Sequence, residues 1–141
     1  MKLKIKKIDP EAVIPKYAYT GDAGLDFYSA EELILEAGER RAIRTGIKME
    51  IPDGYAGLVW DKSGLATKGG ITTMAGVIDA GYRGEIKIVL YNISHEAFEI
   101  TKGMKIAQMV IQKIENPEIE VIDELNGSDR GEDGFGSTGI R

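Results

Sequence analysis

Apolar side chains recur at every second position through much of this chain. Ile47, Met49 and Ile51 alternate with Lys48 and Glu50, while Ile86, Ile88 and Leu90 alternate with Lys87, Val89 and Tyr91. A period of two puts alternate side chains on one face, so these segments predict half-buried strands. The stretch from Met1 to Ile8 alternates in the same way and reads as a strand, not as an export leader. Met104, Ile106, Ala107, Met109 and Ile111 form another apolar stretch, and Ile119, Val121 and Ile122 a short last one. Turn signals separate the runs at intervals of about ten residues. They are Ala37-Gly38, Pro52-Asp53-Gly54, Gly69-Gly70, Arg83-Gly84, Lys102-Gly103, Asn116-Pro117 and Asn126-Gly127. Many short strands joined by Gly-rich turns predict an all-β antiparallel sandwich or barrel. One short helix is predicted around Leu65–Lys68, ended by Gly69. No repeat, linker or second domain interrupts the pattern, which stops after Glu124. The expected units are a core of residues 1–124 and an arm of residues 125–141.

Composition then narrows the chemistry. A length of 141 residues suits one domain with one core, and an apolar content of 43% is ordinary for a folded chain. No apolar run approaches the roughly 18 residues of a membrane span, so a soluble, cytoplasmic protein is expected, with no membrane partner. The chain has no cysteine, which excludes disulfides, thiolate nucleophiles and Cys-ligated zinc. Its single histidine, His95, lies in the turn-like stretch Asn92-Ile93-Ser94-His95-Glu96, a poor setting for a Ser-His-Asp triad. A hydrolase with this inventory needs a carboxylate base or a metal. The net charge of −5 argues against nucleic acid as a partner, because neutralising a phosphate backbone needs a basic surface. A small anionic ligand remains allowed, given locally gathered basic groups and a divalent cation.

Five segments carry candidate chemistry. The tail from Arg130 to Arg141 holds four glycines, two hydroxyls, two arginines and only two large apolar side chains. It buries too little apolar surface to offset its ordering entropy, yet its donors, glycines and Phe135 suit a polyanion bearing a flat ring. Asp61-Lys62-Ser63-Gly64-Leu65 places a cation, a hydroxyl and a glycine before the predicted helix; Ser63 is either an N-cap or part of a phosphate site. In Gly76-Val77-Ile78-Asp79-Ala80-Gly81-Tyr82-Arg83-Gly84-Glu85, Asp79 follows two β-branched residues at a hairpin. It is either a turn acceptor or a general base. Asp26, within Ala23–Ser29, either bonds a turn or orients water around a metal. Gln108, amid apolar neighbours, is either a satisfied core amide or a donor to a phosphate.

In order and combination these segments resemble the five motifs of the homotrimeric deoxyuridine triphosphatase (dUTPase) family. The matching stretches are Ala23–Ala30, Asp61–Gly69, Gly76–Ile86, Gly103–Ile111 and Arg130–Gly139, and they span nearly the whole chain. Gly-Val-Ile-Asp-x-x-Tyr-Arg-Gly together with Gly-Phe-Gly-Ser-Thr-Gly is the most specific part. The resemblance implies a jelly-roll-like (β-clip) subunit in a homotrimer that exchanges C-terminal arms, with each active site drawing on all three chains. It implies Mg²⁺-dependent hydrolysis of dUTP to dUMP and pyrophosphate, which limits uracil incorporation into DNA and supplies dUMP for thymidylate synthesis.

The same resemblance assigns roles to residues. Asp79 is the catalytic residue that holds the attacking water, contacts the 3′-hydroxyl and accepts the proton. The Mg²⁺ rides on the triphosphate without direct protein ligands, and Asp26 supports it through water. The hairpin from Gly76 to about Lys87 reads uracil through backbone groups, and Tyr82 packs beneath the deoxyribose, excluding a 2′-hydroxyl. Lys62, Ser63, Gly64 and Gln108 bind phosphates from a neighbouring subunit. In the arm, Phe135 covers uracil from beside Gly136, while Arg130, Ser137 and Thr138 hold the outer phosphates. Three positions depart from the family pattern. Lys62 stands where arginine is usual, replacing a bidentate fork by a point charge. Gly81 stands where a second aspartate is common, leaving Asp79 as the only base candidate there, and Asp133 stands in the arm where a small residue is usual. Two other readings share the fold or ligand. A dCTP deaminase needs an acid beside the base, which Thr72-Thr73-Met74-Ala75-Gly76 lacks. A silent nucleotide-binding module has no need of Asp79 and a complete arm.

Overall fold

The alternating runs do become strands. The computed structural model describes residues 1–141. Its strands are β1 (Lys4–Lys7), β2 (Gly24–Tyr28), β3 (Leu33–Leu35), β4 (Arg40–Glu50), β5 (Tyr55–Trp60), β6 (Ile71–Met74), β7 (Val77–Asp79), β8 (Glu85–Asn92), β9 (Phe98–Ile100) and β10 (Lys105–Lys113). One antiparallel sheet has the order β1-β4-β8-β6, a second the order β2-β10-β5-β7, and β3 pairs with β9 alone. Outside that small pair, successive strands alternate between the two large sheets, a jelly-roll-like winding. No helix is long and apolar enough to cross a membrane.

The core lies between the sheets. Ile43, Ile86 and Ile88 reach it from the first sheet, and Phe27, Leu25 and Met109 from the second. Each such burial is worth about 1.5–3 kcal/mol against exposure. Lys87 between Ile86 and Ile88 is exposed, as period two requires. Two breaks in the period have a structural cause. The β4–β8 register shifts between Arg44 and Lys48. There Gly46 adopts φ +68, and a Cβ would stand 2.7 Å from that of Ala12, so only glycine fits the bulge. Glu85 accepts the Gly46 N–H at 2.9 Å. A second shift, between Lys105 and Ala107 in β10, explains why the adjacent Ile106 and Ala107 are both buried.

The predicted helix is a single turn, Leu65–Gly69, with π-type spacing. Its stop comes one residue later than predicted: Gly70, at φ +63, donates its N–H to the carbonyls of Ala66 and Leu65. The predicted last strand at Ile119–Ile122 does not form. The final bond tying the C-terminal segment to the sheets is Ile114 N–H to the Gly54 carbonyl at 2.9 Å. Ile119 and Val121 are 88% and 93% exposed, because no strand edge of their own chain receives them.

Candidate active site

The predicted hairpin is a crossing turn: β7 pairs with β5 in one sheet and β8 with β4 and β6 in the other, and the turn between them is closed by bonds to main-chain carbonyls. Tyr82 N–H donates to the Asp79 carbonyl at 3.1 Å, and the Arg83 guanidinium donates to the carbonyls of Ala80 at 2.6 Å and Tyr82 at 3.1 Å. The Tyr82 hydroxyl donates to the Glu85 carbonyl at 2.9 Å, and its ring covers Gly84, where a Cβ would meet the hydroxyl at 2.3 Å. Asp79 is exposed at the end of β7, and its carboxylate takes no hydrogen bond within the chain. The turn therefore makes no use of that side chain. Asp79, Tyr82 and Lys87 line a cavity of about 300 Å³ with Ala75, Val77 and Glu85.

A second cavity, of about 630 Å³, brings Ser63, Gly76 and Gln108 together with Trp60, Asp61 and Thr73. Gly76 is close to the β5 backbone, and a Cβ there would stand 2.8 Å from the Val59 carbonyl oxygen. Ser63 does not cap the helical turn; the cap position is Gly64, and no side chain bonds the turn's first N–H groups. Gln108 is neither fully buried nor free: its amide donates to the Asp61 carbonyl at 2.8 Å, steadying segment 61–64. Ala75 joins the two cavities in the left-handed backbone region, at φ +55. That conformation costs a residue with a Cβ about 1–2 kcal/mol, which marks a constrained corner between the cavities.

Lys62 and Gly64 face a third cavity, of about 530 Å³, with Lys105, Lys68 and Glu96. Segment 61–64 thus turns alternate residues to opposite sides, and the predicted phosphate residues are divided between two cavities. Lys62 donates to Asp26 Oδ1 at 2.6 Å. Lys105 Nζ lies 2.9 Å from Oδ2, an ion contact not aligned as a hydrogen bond. Burial opposes ionisation of Asp26, but the two ammonium groups outweigh it and hold the carboxyl below its ordinary range. The Asp26 side chain, 3% exposed, thus faces two cations in the free chain.

An acid does stand beside Thr72–Gly76, although none occurs within it. The Asp61 carboxylate accepts the Thr73 N–H at 2.7 Å and the hydroxyls of Thr72 and Thr73 at 2.7 and 2.6 Å. Burial opposes its ionisation, but these donors prevail and hold its carboxyl below the usual range. Held by three donors, it is suited to fixing β6 and poorly suited to taking a proton from water.

The arm meets none of these cavities. Arg130, Phe135, Gly136, Ser137 and Thr138 are exposed, and the tail's hydrogen bonds are local turns such as Ser137 N–H to the Gly134 carbonyl at 3.0 Å. Asp133 is exposed and its carboxylate is unbonded. No group of three or more His, Cys, Asp or Glu side chains is placed to hold a metal.

A dUTPase family model matches residues 10–139. The chain belongs to the dUTPase family. It is an enzyme of that family, and its relatives cover it nearly end to end. Deoxyuridine 5′-triphosphate nucleotidohydrolase of Clostridium kluyveri is 52% identical over 141 residues, covering 99% of each chain. The protein of that name from Nautilia profundicola is 50% identical over 141 residues, again covering 99% of each. Among solved structures, a mutant dUTPase of Staphylococcus bacteriophage 80alpha with dUpNHpp matches at TM-score 0.92 and 32% identity, covering 99% of each chain. A mutant dUTPase of the S. aureus phage phi11, described with a structural Mg(II) ion, matches at TM-score 0.85 and 29% identity, covering 90% of this chain and 100% of that one.

Three residues of the site escaped the sequence reading. Ala75 gives no signal, since alanine at positive φ is visible only in the backbone. Asp61 stands next to Lys62 but is recognised only through its bonds to β6. Lys105 has a faint signal, the broken period at Ile106-Ala107 just after it.

Proposed function

We propose that this enzyme hydrolyses dUTP to dUMP and pyrophosphate, at sites shared among three copies of the chain. Asp79 carries the reading. It is an exposed carboxylate without a partner in its own chain, in a nucleoside-sized cavity beside Tyr82. Water held by Asp79 attacks the α-phosphorus as the carboxylate accepts its proton, and pyrophosphate leaves. Ser63 and Gln108 meet the phosphates from one side of the segment, with Gly64 and the charge of Lys62 on the other. The arm of another copy closes with Phe135 over uracil and Arg130, Ser137 and Thr138 on the outer phosphates. The exposed, alternating Ile119 and Val121 support exchange between copies, because they offer a strand without a place in their own sheet.

A triphosphate brings its own Mg²⁺, which keeps much of its water. When bound, the ion neutralises charge on the phosphates. Removing dUTP in this way limits uracil incorporation into DNA and supplies dUMP.

Specificity follows from the hairpin. Backbone donors and acceptors beside β7 pair with uracil, and cytosine sets a donor against a donor, leaving buried groups unpaired. Tyr82, held by the Glu85 carbonyl, occupies the space a 2′-hydroxyl needs. Pyrophosphate release measured across dUTP, dCTP, dTTP and UTP checks this. Turnover confined to dUTP is expected; comparable turnover of dCTP or UTP, or ammonia from dCTP, overturns it.

A further inference from the structure

The bulge in β10 has a consequence for the phosphate site. Asp26 lies opposite Gln108 and Tyr28 opposite Lys105, but Phe27 lies opposite Ala107. One step along β2 therefore matches two steps along β10. Side chains opposite each other in an antiparallel pair share a face, so the extra residue moves Lys105 onto the face that holds Asp26 and Gln108. In a regular strand Lys105, three residues before Gln108, would point to the other face. The bulge delivers an ammonium group to a carboxylate that already has one, from Lys62.

Charge explains what the second ammonium does. The Asp26 side chain is 3% exposed, while those of Lys62 and Lys105 are 28% and 48% exposed at the lip of one cavity. A buried carboxylate paired with Lys62 alone would form a closed, neutral pair and cancel that ammonium's attraction for phosphate. With Lys105 sharing the carboxylate, the three groups present one net positive charge to the cavity. Lys68 adds a further cation there and Glu96 an acid. We propose that Lys105 is a positioning residue of the phosphate site, sharing Asp26 so that Lys62 stays available to the substrate's phosphates. This rests on the reading above in which Lys62 meets those phosphates.

Steady-state dUTP hydrolysis by Lys62→Gln, Lys105→Gln, Lys105→Arg and two double variants tests the assignment. Lys105→Gln should raise KM about tenfold, the scale of one charge-assisted contact, with kcat within about twofold of the parent. Lys105→Arg, which keeps the charge, should restore KM. Lys62→Gln/Lys105→Gln should be no worse than Lys62→Gln, since Lys105 acts through Lys62. Asp26→Asn/Lys105→Gln should recover KM, because Lys62 then has no carboxylate to neutralise it; this variant also leaves no buried unpaired charge to unfold the chain. An unchanged KM in Lys105→Gln, additive effects in the first double variant, or no recovery in the second overturns the role of Lys105 while Lys62→Gln still raises KM. An unchanged KM in Lys62→Gln overturns the phosphate reading of Lys62, and the role of Lys105 with it.

Discussion

A free carboxylate on a surface is ordinary; one that its own turn declines to use is not. Asp79 ends β7 where an Asx-type bond would close the turn, yet Tyr82 N–H bonds the Asp79 carbonyl and leaves the side chain idle. Gly81 puts no second acid in the turn between Asp79 and Tyr82. If Asp79 is the base, its amide analogue retains shape and hydrogen-bonding capacity but cannot take a proton. Asp79→Asn should therefore bind dUTP with an affinity close to the parent's while kcat falls about 10²–10⁴-fold. Titration calorimetry with dUTP and single-turnover kinetics on the same preparation check both halves. Near-normal turnover would remove Asp79 from the chemical step.

Between elements, the buried Asp26 and the half-buried Asp61 act as ties. Asp61 joins the end of β5 to Thr72 and Thr73 of β6, and Asp26 joins β2 to Lys62 and to the start of β10. Both carboxyls are held below their ordinary value of 3.8, so the native state gives up these protons more readily than the unfolded chain. Their stabilisation is fully present above the unfolded value of about 4 and is lost as pH falls through the lower native values. Denaturant unfolding followed from pH 7 down to about 2.5 should show a drop below pH 4 that is shallower in Asp61→Asn. Equal slopes in parent and variant would rule out the tie. These ties also mark where sequence reading stops. Ile86, Ile88 and Leu90 reveal β8 by spacing alone, because burial on one face is a local property with a fixed period. Likewise Gly-Phe-Gly-Ser-Thr-Gly and the Asp79 hairpin are contiguous, so the site's chemistry is legible as words in the chain. Asp26 is different. Its partners come from Lys62 and from a bulged residue of β10, and no local pattern announces a three-way contact. The division of Lys62 and Ser63 between two cavities is hidden for the same reason, since it depends on which way each residue of one segment turns.

At the scale of the whole molecule, the proposed reaction makes the site incomplete in one copy. The cavity beside Lys62 is separate from the two beside Asp79 and Ser63, which meet at Ala75, and the arm reaches none of them. Residues beyond Ile114 make no hydrogen bond to the sheets, so removing those after Asp129 takes away no core contact. Two defective chains can then test whether the arm serves another copy. One is Asp79→Asn with its arm intact; the other keeps Asp79 but ends at Asp129. Each alone should fold, assemble and hydrolyse dUTP poorly. If every site takes Asp79 from one chain and an arm from another, unfolding the two together and refolding them in equal amounts should restore about a quarter of the parent activity by random assortment. Mixing the folded proteins without exchange should restore far less. If the arm instead closes over the hairpin of its own chain, no assortment can pair a working arm with a working Asp79, and the refolded mixture will stay as inactive as its parts.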